Sequence, residues 1–366
     1  MPLNQTDVSV PRTLGPDSLL IVRLSAMGDV IQAMPAVAAL RNALPDTSIG
    51  WLVEERWSEL LCARPSQYEA PRSPLKPLVD TVHLANFSVW KQAWFSDKTW
   101  REALACIRDV RGRRYEAVLD LQGSIRSALS ARLAGAKLRI GSARPREAPS
   151  QFAYTRAVQP QGAHVIEQAF SLASSAVGYP LDYAPPIFPS DPAQEEWAER
   201  FLKNVGRGPL AIINPGAGWG AKCWPAESFA TVARTLHDRG LQVLINHGPG
   251  EEDLAEAVRR ASGNSAHLLK VPVGELIAIT RRARLFIGGD TGPMHLAAAL
   301  GVPVVALFGP TPPERNGPYG TKSVVLRSSR STNNSSHVLQ PDEGLVSITP
   351  HSVIAATEKL LGDAHG

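Results

Sequence analysis

An acidic turn between an apolar strand and an apolar helix is the first candidate site, and it lies in the second half of the chain. The strand ends at Gly288 and Gly289, and Asp290 and Thr291 lead into a helix that runs through Leu300. The first N–H groups of a helix have no intrahelical partner, and the helix dipole is positive there. The turn could therefore bind an anion such as a nucleotide diphosphate. Turn glycines followed by a helix cap would give the same pattern, so both interpretations stay open.

A second carboxylate has a comparable position near the start of the chain. The apolar run LLIVRL, from Leu19 to Leu24, predicts a buried strand, and Asp29 follows it just before the apolar segment VIQAMPAVAAL. A carboxylate at the end of a strand could take the proton of an attacking hydroxyl group, provided that it lies within about 2.6 to 3.2 Å. As a helix cap alone, Asp29 would need no catalytic role.

Two further charged residues follow strands in the second half. Lys222 lies in a glycine-containing segment after AIINPG, where a flexible cation could neutralise the charge of a leaving diphosphate. Glu251 follows LQVLINHG at the start of a helix, where a carboxylate could accept hydrogen bonds from ribose hydroxyls. A surface lysine in a loop and a glutamate that complements a helix dipole are the alternatives.

Strand and helix patterns alternate through both halves of the chain, which predicts an α/β fold with two parallel sheets. The predicted elements of the first half are strands at 19–24, 48–55 and 116–123 and helices at 30–43 and 124–135. Those of the second half are strands at 209–216 and 241–248, helices at 227–239 and from Glu251, and the strand, turn and helix around Asp290.

Prolines between the halves interrupt regular structure and mark a domain boundary, namely Pro185, Pro186, Pro189 and Pro192. We therefore divide the chain into a flexible tail at 1–18, a first domain at 19–187, a second domain at 188–350 and a C-terminal helix at 351–366. We expect that helix to pack back on the first domain. The polar segment 328–344 predicts a long surface loop.

The composition is that of a globular protein. Its 366 residues exceed what one core normally supports, and 44% hydrophobic with 20% charged residues excludes a disordered chain. Cys62, Cys106 and Cys223 are widely spaced, which indicates neither a disulfide framework nor a zinc site. No apolar run is long enough to span a bilayer, and residues 1–18 have no signal-peptide core, so we expect the chain in the cytoplasm.

Basic residues concentrate in one part of the chain. Residues 91 to 146 carry 13 Lys and Arg against 5 Asp and Glu, a local net charge of +8, whereas the whole chain carries +4. An anionic partner is therefore expected there. No helix-turn-helix, zinc-finger or aromatic RNA-binding pattern accompanies this charge, so a lipid or sugar acid suits it better than a nucleic acid. Solvated helix faces account for part of the charge, and Lys98, Arg101 and Arg108 are candidates for that group.

Three motifs resemble the ADP-heptose heptosyltransferases, glycosyltransferase family nine, and the resemblance covers about residues 19 to 328. DTGPMH at 290–295 is similar to the family's D-[ST]-G-x-x-H turn, SAMGDV at 25–30 to its S-x-M-G-D-V start, and NPGAGWGAKCWP at 214–225 to its N-P-G-x-x-x-x-x-K-x-W-P segment. The start is most like that of type I members. The resemblance implies the GT-B fold, in which two Rossmann-like domains face each other across a cleft. It also implies inverting transfer of heptose from ADP-L-glycero-D-manno-heptose to the Kdo sugar of the lipopolysaccharide inner core.

The resemblance further implies roles for individual residues. Asp29 would be the general base, and Lys222 would neutralise the leaving diphosphate. ADP-heptose would bind the second domain through Gly216, Ala217, Gly218, Lys222, Glu251, Val271, Asp290, Thr291, Gly292 and His295. The anionic Kdo-lipid A acceptor, at the inner face of the inner membrane, would bind the first domain through Met27, Gly28, Lys91, Arg126, Arg144 and Arg146. We expect no cofactor and no metal, since the acidic residues lack a dense Asp-x-Asp spacing.

One segment departs from the type I pattern. Ala217, Gly218 and Gly220 stand where those relatives carry threonines and acidic residues, and Cys223 replaces a basic residue that is common in the family. Backbone N–H groups would then do the work of the hydroxyls. A type II enzyme, or another family member with a different acceptor, therefore stays open.

Two other classes of protein share parts of this pattern. A nucleotide-sugar epimerase can have the same fold and phosphate turn, but it needs no basic acceptor face. A sugar- or lipid-binding module without catalysis would not need both Asp29 and Lys222. A nicotinamide-dependent dehydrogenase is disfavoured because no GxGxxG follows the first strand.

Overall fold

The structure is a computed structural model that describes residues 15–218, 220–331 and 340–362. Most of the predicted N-terminal tail, the central part of the predicted loop at 328–344 and residues 363–366 lie outside the described residues.

The first half forms a six-stranded parallel sheet in the order β3-β2-β1-β4-β5-β6. Its elements are β1 (Ser18–Val22), α1 (Met27–Ala43), β2 (Ser48–Glu54), β3 (Thr81–Ala85), α2 (Phe87–Gln92), α3 (Asp97–Gly112), β4 (Ala117–Asp120), α4 (Ile125–Leu133), β5 (Leu138–Ser142), β6 (Arg156–Val158) and α5 (Val165–Val177). Short 3₁₀ helices lie at Glu55–Leu60, Pro65–Gln67 and Ala148–Ala153.

The second half forms another six-stranded parallel sheet in the order β12-β11-β10-β7-β8-β9. Its elements are α6 (Pro192–Val205), β7 (Leu210–Asn214), α7 (Ala226–Asp238), β8 (Gln242–Asn246), α8 (Glu252–Ala261), β9 (His267–Leu269), α9 (Val273–Thr280), β10 (Ala283–Gly289), α10 (Gly292–Ala299), β11 (Val304–Phe308), α11 (Pro313–Asn316), β12 (Ser323–Arg327), α12 (Glu343–Val346) and α13 (Pro350–Gly362). A 3₁₀ turn covers Gly220–Lys222.

Each sheet has the doubly wound order 3-2-1-4-5-6 when its strands are counted within its own half. The strand order reverses between β1 and β4 in the first sheet and between β7 and β10 in the second, and open α/β sheets bind ligands in the crevice at such switch points. Asp29 follows β1, whereas Lys222 and Asp290 follow β7 and β10. The topology therefore places all three residues at switch points. It also confirms the predicted GT-B architecture.

Successive side chains of β1 point to opposite faces of the first sheet, and their contacts show which helices pack on each face. Leu19 and Ile21 join a core cluster with α1 and α5, whereas Leu20 and Val22 join a separate cluster with residues of α3 and α4. The first cluster continues into the second domain through α10 and β10. The contact between the domains is therefore an extension of a hydrophobic core.

Helix α1 begins three residues earlier than the predicted start at Val30. Ala26 is the N-cap, and its backbone N–H donates to Asp29 Oδ2 at 3.0 Å. This capping bond draws Met27 and Gly28 into the first turn. Asp29 is consequently the third residue of the helix.

The C-terminal helix packs on the second domain, so the expectation that it returns to the first domain was wrong. Val353, Ala356 and Leu360 of α13 are buried in the core cluster of the second sheet. The helix contacts α7 and strands β10 to β12. Its apolar stripe thus covers a sheet face that would otherwise be exposed.

The proline-rich segment between the halves is irregular from 180 to 190, as predicted. Arg281 donates to the backbone oxygens of Phe188 at 3.2 Å and Pro189 at 2.8 Å. Asp191 caps α6 and pairs with Arg64 of the first half, with N···O distances of 2.5 and 2.6 Å. The segment is therefore fixed at both sides, and Asp191 begins the second domain's first helix.

Candidate active site

The second switch point centres on Asp290, between β10 and α10. Lys222 Nζ donates to Asp290 Oδ2 at 2.6 Å, and His295 Nε2 lies 3.1 Å from Asp290 Oδ1. The three side chains are 14%, 9% and 8% exposed, in the order Lys222, Asp290 and His295. Thr291 is the N-cap of α10, and its hydroxyl donates to the backbone oxygen of Gly289 at 3.4 Å. A cation and an imidazole are therefore fixed beside a helix N-terminus.

The partners of Asp290 keep its carboxyl group ionised. Burial alone would raise the pKa of Asp290, but the hydrogen bonds and charges of His295 and Lys222 outweigh burial and hold that pKa well below its usual range. An ionised carboxylate repels a diphosphate. Asp290 therefore orients Lys222 and His295, and an anion would approach those two groups and the N–H groups of α10.

The lowered pKa of Asp290 predicts an acid-sensitive contribution to stability. A carboxyl group whose pKa is lower in the folded state stabilises the protein fully above its unfolded pKa, about 3.9, and loses that contribution as the pH falls further. The difference in unfolding free energy between the wild type and Asp290→Asn should thus be fully present near pH 5. It should shrink from about pH 4 downwards. Urea titrations across this range measure it, and a difference that does not change with pH would contradict the assignment.

Glu251 lies against the loop that follows β7. Its carboxylate accepts a hydrogen bond from the backbone N–H of Gly248 at 2.8 Å. A Cβ atom added to Gly216 would lie 2.1 to 2.3 Å from the Glu251 carboxylate atoms, so the absence of a side chain at 216 leaves room for it. Gly218, by contrast, has open space where a Cβ atom would lie. Ala217 is half-buried in the same loop.

These two glycines provide a matched pair of variants. Gly216→Ala should displace the Glu251 carboxylate and break its hydrogen bond to Gly248, which costs about 1 to 2 kcal/mol of unfolding free energy. Gly218→Ala should leave stability unchanged in the absence of nucleotide. Urea denaturation of the two variants checks this expectation, and equal stabilities would show that Gly216 is not required for the position of Glu251.

Val271 is the remaining residue that was expected to contact the nucleotide. It is half-buried between β9 and α9 and packs against the core cluster that both domains share. A contact with adenine through its backbone stays a prediction.

The first switch point centres on Asp29. Its Oδ2 accepts the capping bond from Ala26, and its Oδ1 pairs with Arg23 Nη2 at 2.8 Å. Arg23 Nε also donates to the backbone oxygen of Asp29 at 3.1 Å. The Asp29 side chain is 33% exposed. Asp29 is therefore a helix cap whose carboxylate is still accessible, and the capping role does not exclude a role as base.

The loop after β4 is fixed to the loop after β1. Gln122 Oε1 accepts hydrogen bonds from the backbone N–H groups of Leu24 at 2.7 Å and Ser25 at 3.3 Å. Asp120 is fully buried, and burial raises the pKa of its carboxyl group despite four hydrogen bonds. Its donors are the N–H groups of Gln122 and Gly123 and the hydroxyls of Ser127 and Tyr154. This network ties the loop after β4 to the backbone that leads into Asp29.

The two switch points touch each other. A Cβ atom on Gly292 would lie 2.7 Å from the Met27 side chain, and one on Gly28 would lie 2.6 Å from the His295 ring. The amide of Gln32 lies 3.4 Å from His295 Nδ1. Met27 and Gly28 are thus buried in the contact between α1 and α10. Their contact with the acceptor stays a prediction, and in the structure they pack the start of α1 against the second domain.

The basic residues expected at the acceptor are exposed on the first domain. Arg126, at the start of α4, lies 3.7 Å from Glu54 and places its guanidinium 5.7 Å from the centre of the Phe87 ring. Arg146 lies beside Gly123 at the end of β4, where a Cβ atom would approach its backbone nitrogen to 3.2 Å. Both arginines therefore lie at the first switch point.

Lys91 and Arg144 are less tightly placed. Lys91 is exposed on α2, and Arg144 is exposed in the loop that follows β5, where its backbone N–H donates to Ser142 Oγ at 3.0 Å. The structure brings the four basic residues to one side of the first domain, but only Arg126 and Arg146 to the switch point itself.

Several site residues were missed by sequence reasoning. Arg23 orients Asp29, Gln122 fixes the neighbouring loop, and Gln32 contacts His295. Glu54 is buried at the end of β2 and pairs with Arg56 at 2.9 Å as well as with Arg126. A charged residue at the end of an apolar strand, as in LLIVRL and SIGWLVE, was the available signal. It marks the carboxyl edge of a sheet.

Two doubly wound domains that meet at their switch points define the GT-B fold. A family model described as glycosyltransferase family 9 (heptosyltransferase) matches residues 103–344. The chain belongs to this family and is a glycosyltransferase.

Similar proteins carry the same family name. The chain is 31% identical to lipopolysaccharide heptosyltransferase 1 of Pseudomonas aeruginosa over 85% of this chain and 83% of that protein. It is 29% identical to lipopolysaccharide heptosyltransferase 1 of Escherichia coli K12 over 85% of this chain and 94% of that protein. The chain also matches a solved structure of the E. coli heptosyltransferase WaaC with ADP. The match covers 94% of this chain and 99% of that chain, with 26% identity and a TM-score of 0.75. The predicted resemblance is confirmed.

Two negative observations apply to the described ranges. No group of three His, Cys, Asp or Glu residues within 15–218, 220–331 and 340–362 could hold a metal ion. In the same part of the chain, no helix has both the length and the apolar character that crossing a membrane requires.

Proposed function

We propose that the protein transfers heptose, with inversion, from ADP-heptose to the Kdo sugar of a lipid-anchored lipopolysaccharide core, as heptosyltransferase I does. The observation that carries the proposal is the contact between the switch points. Gly28 meets His295 and Met27 meets Gly292, so an accessible carboxylate on one domain lies close to an anion site on the other. A single reaction can then use groups of both domains.

The donor would bind the second domain. Its diphosphate would meet Lys222, His295 and the N–H groups at the start of α10, and Asp290 would keep both side chains in place. Glu251, held beside Gly216 and Gly248, would accept hydrogen bonds from the ribose hydroxyls. Positive groups at the diphosphate allow ADP to leave without a general acid, because they neutralise the charge that develops on the leaving oxygen.

The base would act from the first domain. Asp29 would take the proton of the attacking acceptor hydroxyl while that oxygen bonds to the anomeric carbon and the bond from that carbon to the ADP oxygen breaks. The sugar would pass through an oxocarbenium-like state. Arg23 would hold the Asp29 carboxylate in one orientation through its 2.8 Å ion pair. A single displacement by the acceptor oxygen gives inversion at the anomeric carbon.

The acceptor would bind the basic side of the first domain. Guanidinium groups bind carboxylates through paired hydrogen bonds, and Arg126 and Arg146 lie at the switch point where the acceptor must present its hydroxyl. Lys91 and Arg144 would meet more distant anionic groups. We propose that the enzyme works at the cytoplasmic face of the inner membrane, where such an acceptor would be anchored.

A transfer assay read by mass spectrometry tests both the activity and the subtype. The purified protein is incubated with ADP-heptose and either Kdo-lipid A or its mono-heptosylated product. The proposal predicts addition of one heptosyl residue to Kdo-lipid A only. Addition to the mono-heptosylated acceptor alone would indicate a type II enzyme, and no transfer to either acceptor would contradict the proposal.

A further inference from the structure

Exposed aromatic side chains cluster where α2 turns into α3. Phe95 is 78%, Trp100 60% and Trp94 57% exposed, although such side chains are normally buried. The rings of Trp94 and Phe95 have their centres 3.5 Å apart, so they form one projecting apolar unit. Along α3, Trp100 is followed four residues later by exposed Leu104, on the same stripe of the helix.

The neighbouring elements continue this apolar surface. Ile125 and Leu129 of α4 are about half exposed, and Phe152 of the 3₁₀ helix at 148–153 is 85% exposed. Helix α4 contacts both α3 and this 3₁₀ helix. We call the surface formed by α2, α3, α4 and residues 148–153 the basic aromatic face.

Contacts within the basic aromatic face give it a defined shape. Trp90 Nε1 of α2 donates to Glu102 of α3 at 3.0 Å, and the Phe87 ring of α2 lies under the guanidinium of Arg126 on α4. Because α3 and α4 pack on Leu20 and Val22, this face lies on the opposite side of the first sheet from α1 and α5. The basic aromatic face is therefore turned away from the contact between α1 and α10. At the start of α4 it reaches Arg126, at the edge of the first sheet where the acceptor would bind, which we call the acceptor edge.

Positive charge coincides with the apolar residues. The segment 91–146, which supplies most of the basic aromatic face, carries 13 basic against 5 acidic residues. Lys91, Lys98 and Arg101 are exposed beside the aromatic turn, and Arg108 follows Leu104 on the same stripe of α3. Aromatic rings with interleaved cations suit the boundary between the acyl chains and the headgroups of an anionic bilayer.

We propose that the basic aromatic face docks on an anionic lipid bilayer, with Trp94, Phe95 and Trp100 entering the headgroup region. The proposal rests on the proposed function for its choice of partner, because a lipid-anchored acceptor requires the enzyme to work at a membrane. Docking in this orientation presents the acceptor edge, with Arg126, to sugars that project from the lipid surface.

Vesicle sedimentation of the full chain tests the docking without donor or acceptor. The wild type should bind phosphatidylcholine vesicles that contain phosphatidylglycerol, and it should bind pure phosphatidylcholine vesicles or vesicles at high salt more weakly. The double variant Phe95→Ser/Trp100→Ser should lower the partition coefficient by roughly tenfold or more, because two inserted rings are lost. Tyr179→Ser is the matched control, since Tyr179 is an exposed aromatic residue that follows α5 on the other side of the sheet. It should bind as the wild type does.

Turnover with a soluble acceptor that lacks acyl chains separates this proposal from the proposed function. The double variant should keep wild-type turnover with that acceptor, and equal melting temperatures would show that both variants are folded. A wild type that ignores anionic vesicles, or a double variant that binds them equally well, would overturn the docking proposal. Vesicle binding as expected, together with no transfer from ADP-heptose to any acceptor, would overturn the proposed function and leave the docking intact.

Discussion

Asp29→Asn is expected to lower kcat by roughly 10² to 10⁴-fold, the usual scale for loss of a general base, while the affinity for ADP-heptose changes little. The amide keeps an oxygen for the capping bond to Ala26 but cannot take the proton of the attacking hydroxyl. The donor affinity should be retained because Asp29 belongs to the other domain. Kinetics at saturating substrate and calorimetry with ADP-heptose in the absence of acceptor measure the two quantities separately.

Glu167→Gln provides the matched control for Asp29→Asn. Glu167 is the third residue of α5, and its carboxylate accepts a capping bond from the His164 N–H at 3.0 Å, as Asp29 does from Ala26. If Asp29 acts only as a cap, the two variants should have the same small effect. If Asp29 is the base, only Asp29→Asn should lose turnover. A turnover of Asp29→Asn within a few-fold of wild type would remove Asp29 from the mechanism.

Lys222→Ala is expected to weaken ADP binding by roughly 10- to 150-fold and to slow transfer as well. A hydrogen bond from a charged donor contributes about 1.5 to 3 kcal/mol, and each 1.4 kcal/mol corresponds to a factor of about ten in affinity. The variant also leaves the nearly buried Asp290 carboxylate with one cationic partner fewer, which increases its repulsion of the diphosphate. Calorimetry with ADP measures the affinity.

Lys322→Ala is the control for Lys222→Ala. Lys322 is exposed and precedes β12, so it lies at the amino edge of the second sheet, opposite the switch point. Its removal should leave ADP affinity unchanged. ADP affinity and transfer rate that are both unchanged in Lys222→Ala would contradict the role assigned to this lysine.

The sequence predicted the positions of those candidate residues that a local pattern marks as the end of a strand. An apolar strand followed by a charged residue and an apolar helix is a local pattern, and it located Asp29, Lys222 and Asp290 at strand ends. The parallel sheets then brought these ends to two switch points, as the α/β pattern predicted. The strands with weak apolar patterns, such as Arg156–Val158 and His267–Leu269, were not predicted, because they are short and depend on pairing with a neighbouring strand.

Partners that are distant in sequence could not be predicted. The contact of Gln32 with His295 joins residues in different domains, and no local pattern specifies it. The burial of Met27 and Gly28 follows from the same interdomain contact. The packing of the C-terminal helix could not be predicted for the same reason. Its apolar stripe indicates that the helix packs on a core, but it does not indicate which of the two sheets.

The configuration of the product's new glycosidic bond tests the proposed mechanism most directly. In that mechanism, Asp29 on one domain and the diphosphate site on the other act in one displacement, with no covalent bond between sugar and enzyme. Nuclear magnetic resonance of the donor and of the purified product should therefore show opposite anomeric configurations. Retention of the donor's configuration would require a second displacement and a nucleophile that the mechanism does not contain, and it would contradict a single displacement by the acceptor oxygen with Asp29 as its base.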